Sequence, residues 1–281
     1  MPLGRSLLLA AAKSDALNRF ATRSAVVRRA TRAFMPGETM EAGLDAGAPI
    51  ARSGRGILYT RLGEALTAKH EAVEVRAHYE TLFDAIKARG LPAQVSVKPT
   101  QLALDLSMDE CAAHCVALAD KAESTGSALW LDMEDVSYVD RTLELYRAIR
   151  ARHARAGLAL QAYLYRTPKD VESLLPLKPS IRLVKGAYAE SASVAFPKKA
   201  DTDRAYEEIA AQMLATAARG SCLPILGTHD MPLIKRIIAR ARALGVAPGG
   251  YEIHMLYGIR DRDQLALKAA GETVATLISY G

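Results

Sequence analysis

The sequence predicts an α/β chain built as a (βα)8 barrel of the TIM type behind an N-terminal helical arm. Beyond residue 54, short apolar or β-branched runs alternate with helical patterns at a spacing of about 30 residues or less. The helical patterns carry their own start and stop residues. The runs number eight, and eight parallel strands close a barrel. An open doubly wound sheet is the alternative, but no G-x-G-x-x-G or G-x-x-x-x-G-K-[ST] fingerprint follows an early strand. The pattern divides the chain into an arm, 1–54, and a barrel, 55–281.

The arm comes first. Its first 36 residues carry seven Arg or Lys against one acid, Asp15, a composition resembling an Arg-rich organellar transit peptide. Leu7, Leu8, Leu9, Leu17, Phe20, Val26 and Val27 also supply an amphipathic helix that Pro36-Gly37 ends, and a folded arm is the preferred reading. Strands are expected at 56–60, 94–98, 128–133, 158–164, 180–185, 223–227, 251–256 and 272–278. Between them, Ser107 and Glu110 read as a capping box, with Gly126 closing that helix. Thr167 precedes Pro168 at a first helical position, and Asp230 and Asp261 read as N-caps. Gly157, Gly245 and Gly271 stand where C-terminal glycines belong.

Composition narrows the function classes. The net charge of +6 and pI near 9.2 suit an anionic cofactor or an anionic membrane surface. The basic residues lie singly along helical patterns without interleaved aromatics, which argues against nucleic acid. No apolar stretch approaches the roughly 20 residues of a spanning helix, so membrane contact is expected to be peripheral. Cys111, Cys115 and Cys222 are too few and scattered for a disulfide framework, which points to a reducing compartment, the bacterial cytoplasm by default. Cys111, His114 and Cys115 share a helical turn, but no second ligand cluster completes a metal site, and a core reading is preferred.

A barrel places its site at the carboxyl ends of its strands. There the chain is polar: Thr60, Arg61 and Glu64; Lys98, Thr100 and Gln101; Asp132, Glu134 and Asp135; Gln161, Tyr163 and Tyr165; Thr228, His229 and Asp230; Glu252, His254 and Tyr257; Ser279 and Tyr280. The fifth strand is the most informative, because the apolar run Ile181-Arg182-Leu183-Val184 releases Lys185, Gly186, Ala187 and Tyr188. Cations inside a buried run need a partner, either a structural ion pair or an anionic ligand. Lys98 beside Asp132 reads as a charge clamp in preference to a Schiff-base nucleophile. Glu134 and Asp135 read first as residues that cap the loop after strand three.

Six ordered runs carry a resemblance: Ser96 to Leu102, Leu131 to Asp135, Leu160 to Leu164, Arg182 to Tyr188, Thr228 to Asp230, and Met255 to Gly258. Together they resemble the proline dehydrogenase family, from about Gly37 to the last residue. The resemblance implies a distorted (βα)8 barrel that holds FAD, oxidises L-proline to Δ1-pyrroline-5-carboxylate and passes electrons to a membrane quinone, with peripheral contact at the inner membrane. It also implies roles. Arg182 should lie against the isoalloxazine and Gln161 should bond the ring. Val184, Lys185, Gly186, Ala187 and Tyr188 should line the cofactor, Gly186 by allowing close backbone approach. Thr228, His229 and Asp230 should meet its adenosine or pyrophosphate part. Lys98 should pair with the substrate carboxylate and with Asp132, while Leu256 and Tyr280 pack on the proline ring. His254 replaces an expected glutamine.

The family pattern continues past strand eight into a helix with a Tyr-x-x-Arg-Arg type motif that clamps the substrate carboxylate; here Ser279-Tyr280-Gly281 ends the sequence. The final helix is therefore expected to be absent, as in a fragment of a longer reading frame or a variant without its lid. An exposed apolar face over strands one and eight is expected in its place. Losing the clamp is expected to cost about a hundredfold in substrate affinity. Two other readings stand beside the dehydrogenase: a Schiff-base lyase or aldolase using Lys98 or Lys185, and a non-catalytic flavin-binding relic.

Overall fold

The computed structural model describes residues 34–63 and 66–281, so Glu64 and most of the arm lie outside the described residues. Eight strands alternate with helices in the expected order. Helix α1 (Met40–Arg52) precedes β1 (Gly56–Arg61); then follow α2 (Lys69–Ala88), β2 (Ala93–Val97), α3 (Met108–Ser124), β3 (Leu129–Leu131), α4 (Val139–Arg150) and β4 (Gly157–Gln161). The second half comprises α5 (Thr167–Leu174), β5 (Ser180–Val184), α6 (Lys199–Ala217), β6 (Leu223–Gly227), α7 (Met231–Ala243), β7 (Glu252–Leu256), α8 (Asp261–Ala269) and β8 (Val274–Tyr280). All neighbours are parallel, and β8 returns to β1 in a register running from Gly56↔Ala275 to Arg61↔Tyr280, so the barrel is closed.

Alternation along each strand separates two cores. Outward residues such as Ile57, Tyr59, Val95, Val97, Ile253 and Met255 pack with the helices. Inward Leu58, Trp130, Ile225 and Ala275 form a small cluster inside the barrel. The single tryptophan of the chain is its largest member. Its Nε1 donates to Gln94 Oε1 on β2. On β4 a Cβ at Gly157 would lie 2.3 Å from the indole. The expected helix-terminating role of Gly157 is therefore corrected: it is the first residue of β4, and the tryptophan is the reason no side chain fits. Gly126, Gly245 and Gly271 do adopt positive φ at helix ends.

Other boundaries move for local reasons. Ser107 Oγ accepts from Glu110 N, and Asp230 caps α7 through Leu233 N, as expected. Asp261 is instead the first helical residue, behind Arg260 at φ 51°, and its carboxylate takes Arg55 Nη1 at 2.7 Å. Thr167 is the first residue of α5 and Pro168 the second. The fourth strand stops at Gln161 because the chain turns there, Leu164 N donating back to Gln161 O.

The expected bare face over strands one and eight is covered. Helix α1 lies on it, with Gly43 against the Tyr280 ring and Gly47 against the Tyr59 hydroxyl, while Leu44 and Ile50 are buried. Thr39 starts this helix by accepting from Ala42 N at 3.1 Å. The division at 54/55 thus separates elements that pack together.

Candidate active site

A cavity of about 810 Å³ opens at the carboxyl ends of the strands. Its wall is built by the inward register: Lys98 beyond β2, Asp132 beyond β3, Ala159 and Gln161 on β4, Arg182 and Val184 on β5, Gly227 on β6, His254 and Leu256 on β7, and Leu277 on β8. Lys185 to Tyr188 and Thr228 to Asp230 complete it from the loops. Five cations (Lys98, Arg182, Lys185, Lys199, Arg260) and two carboxylates (Asp132, Asp230) face this space, so it is cationic.

Arg182 is 3% exposed. Its Nη2 donates to Asp132 and, at 3.0 Å, to Ser96 Oγ, and its guanidinium lies over the Trp130 ring at 5.4 Å. Ser96 Oγ in turn donates to Asp132 Oδ1 at 2.8 Å. Asp132 was expected to pair with Lys98; that pairing is corrected. A planar guanidinium reaching across from β5 takes the carboxylate, and among the described residues Lys98 forms no ion pair. Glu134 is buried and accepts from Thr100 N at 3.1 Å and Thr100 Oγ1 at 2.6 Å. Burial pushes its carboxyl up, against those bonds and the nearby Lys98 charge. Asp135 caps the short turn Val136–Tyr138 through Ser137 N, as the capping reading expects.

Gln161 Nε2 donates to the Glu134 carbonyl at 3.1 Å, while its Oε1 is buried without a partner. Lys185 bridges Asp203 and Asp230, the latter at 2.7 Å, so its ammonium joins α6 to the loop after β6. That lysine holds Asp230 below the usual carboxylate range. His229 Nε2 accepts from Leu256 N at 3.4 Å, which ties the β6 loop to β7 and leaves Nδ1 buried and unmatched. Gly186 has φ 112°, and a Cβ there would meet the Tyr163 ring at 2.3 Å. Its smallness makes room for that tyrosine while Gly186 itself lines the cavity.

Tyr280 stands apart from the cavity. It faces outward on β8, 1% exposed, with its hydroxyl 2.8 Å from His78 Nε2 and its ring on Gly43. Leu277, three residues earlier and of opposite parity, lines the cavity beside its register partner Leu256. Strand alternation alone distinguishes the two positions. Sequence reasoning also missed Lys199 and Arg260, whose approach depends on helix starts that carry no strand-end signal.

Among the described residues, no helix is long and apolar enough to cross a membrane, and no cluster of His, Cys, Asp and Glu is arranged for a metal. Cys111 and Cys115 are buried.

The sequence profile of the family described as Proline dehydrogenase matches residues 44–281. Proline dehydrogenase 1 of Bacillus subtilis subsp. natto is 32% identical over 280 residues, 99% of this chain and 90% of that protein. Proline dehydrogenase of Deinococcus radiodurans is 33% identical over 253 residues, 88% of this chain and 80% of the relative. Among solved structures, proline utilization A (PutA) from Bdellovibrio bacteriovorus superposes with a TM-score of 0.84 at 22% identity. That match covers 91% of this chain and 31% of the PutA chain, so this chain spans about a third of that larger protein. The superposition bears on the fold, while the profile and the relatives decide descent: the chain belongs to the proline dehydrogenase family.

Proposed function

We propose that the protein is an FAD-dependent enzyme that oxidises L-proline to Δ1-pyrroline-5-carboxylate and passes the electrons to a membrane quinone. The observation that carries the reading is the cationic cavity at the strand ends, with Arg182 Nη1 and Gln161 Oε1 buried on its wall and unmatched by any protein group. Buried polar atoms without partners are costly, and the two residues that carry them line a space large enough for an extended ligand. The residues fit a flavin. Arg182 and Gln161 would bond an isoalloxazine ring, and Thr228, His229, Lys199 and Arg260, which line the same cavity, would hold an anionic pyrophosphate.

Bound FAD would supply the acceptor for the hydride lost from the carbon beside the ring nitrogen. The chain's own residues do the rest. Arg182, locked by Asp132 and Ser96, would supply a fixed positive charge to offset the negative charge gained on reduction. Lys98, half-buried and without a described ion-pair partner, is the group to take the substrate carboxylate. Leu256 and Leu277 offer the apolar side of the ring site. Lys185 is committed to two carboxylates, so no observation favours it as a Schiff-base nucleophile. The net charge of +6 suits a peripheral contact with an anionic membrane that holds the quinone.

The test is an absorption spectrum of the protein with FAD, before and after anaerobic L-proline. Bound flavin bands that bleach are expected. A protein that stays colourless removes the cofactor reading, and bound flavin indifferent to L-proline removes the substrate reading. In the same assay Lys98→Met is expected to keep flavin absorbance while raising KM for proline about tenfold or more, the loss of one charge-assisted contact.

A further inference from the structure

Strand β7 carries a histidine–carboxylate pair at the bottom of the cavity that serves neither the cationic rim nor the Lys98 side. His254 is 3% exposed, with Nε2 2.9 Å from Glu252 Oε2 and Nδ1 buried without a partner. Its imidazole stands edge-on to Trp130, with ring centroids 5.7 Å apart. Its register partners are Gly227 on β6 and Ala275 on β8, two of the smallest residues, and His254 and Gly227 both line the cavity.

The groups that face it are Glu252 from its own strand, Trp130 from β3 and Arg182 from β5. Burial, helped by the Arg182 charge, pushes the imidazole pKa down and outweighs Glu252. A neutral imidazole that donates Nε2–H to a carboxylate keeps a bare lone pair on Nδ1. An acceptor buried with no donor is a position a ligand can complete.

We propose that His254 is a positioning residue for the flavin: Glu252 fixes its tautomer, and Nδ1 accepts a hydrogen bond from a ring N–H or ribityl O–H of the bound cofactor. The proposal rests on the flavin reading. Glutamine, the residue expected here, offers an amide oxygen that could accept the same bond; leucine could not.

Trp130 makes the proposal measurable, because it is the only tryptophan and touches the same imidazole. FAD and lumiflavin, which lacks the ribityl hydroxyls, are titrated into the apoprotein while its tryptophan emission is followed. His254→Leu is expected to raise the FAD dissociation constant about tenfold, and His254→Gln to stay within about threefold of wild type. The same loss with lumiflavin assigns the donor to the ring; a loss seen with FAD alone assigns it to the ribityl chain. Wild-type affinity in His254→Leu overturns the proposal. A second measurement needs no leucine variant: protonation of Nδ1 removes the acceptor, and because burial lowers the imidazole pKa, wild-type FAD affinity is expected to hold from pH 8 to about pH 6.5 and to fall only on further acidification, while His254→Gln falls less. Parallel profiles overturn the proposal. Wild-type protein that binds no FAD at all overturns the flavin reading as well, and the two failures are thereby distinguished.

Discussion

Arg182 has two hydrogen-bond commitments inside the protein, Asp132 and Ser96, both through Nη2, and a buried Nη1 left unmatched. Removing the carboxylate leaves a buried charge with only the Ser96 hydroxyl and the face of Trp130 for company. Asp132→Ala is therefore expected to cost about 2–3 kcal/mol, less than for a fully dry pair because Asp132 is partly exposed, and denaturant unfolding measures it. Tyr280 and Leu277 make a sharper contrast. Tyr280→Phe is expected to lose about 1 kcal/mol with its His78 bond and to leave KM for proline within about twofold. Leu277→Ala is expected to raise that KM about fivefold, the worth of roughly 1 kcal/mol of apolar contact. Steady-state kinetics on the pair decides which β8 residue meets substrate. Residue types at strand ends were legible from sequence, but their partners were not. Lys98 and Arg182 compete for the same aspartate, and only side-chain reach across the barrel settles the winner.

At the scale of elements, the alternation of strands and capped helices was readable because each signal is local: Ser107 and Asp230 cap within their own turns. Gly157 and Asp261 were misread for the converse reason. One answers to an indole on another strand, the other to an arginine 206 residues away. The seat of α1 was likewise invisible, since nothing in residues 40–52 names β1 and β8 as neighbours. It rests on close approach, because a Cβ on Gly47 would stand 1.9 Å from the Tyr59 hydroxyl. Gly47→Ala is expected to destabilise by about 2–4 kcal/mol by forcing the helix or the tyrosine aside. Gly90→Ala, at φ 60° with nothing within 4 Å, is expected to cost about 1 kcal/mol, so equal losses in chemical denaturation would refute the seating argument.

For the whole molecule, burial is the first cause that pushes down the pKa of His78, His114, His229 and His254. The folded state then binds fewer protons than the unfolded chain below pH about 6.5, and stability falls as the pH drops through that region. Thermal unfolding is expected to show a flat Tm above pH 7 and a decline toward pH 5; a Tm that rises on acidification would contradict the burial of these rings. Barrel closure has a different kind of consequence. The first strand hydrogen-bonds to the last, Gly56 to Arg61 against Ala275 to Tyr280, and α1 rests on both. During synthesis on the ribosome, the apolar side of α1, with Leu44 and Ile50, has only the β1 half of its seat until β8 has left the exit tunnel. The nascent chain then carries an unpaired strand edge and a half-covered helix for most of its translation, surfaces of the kind that chaperones shield.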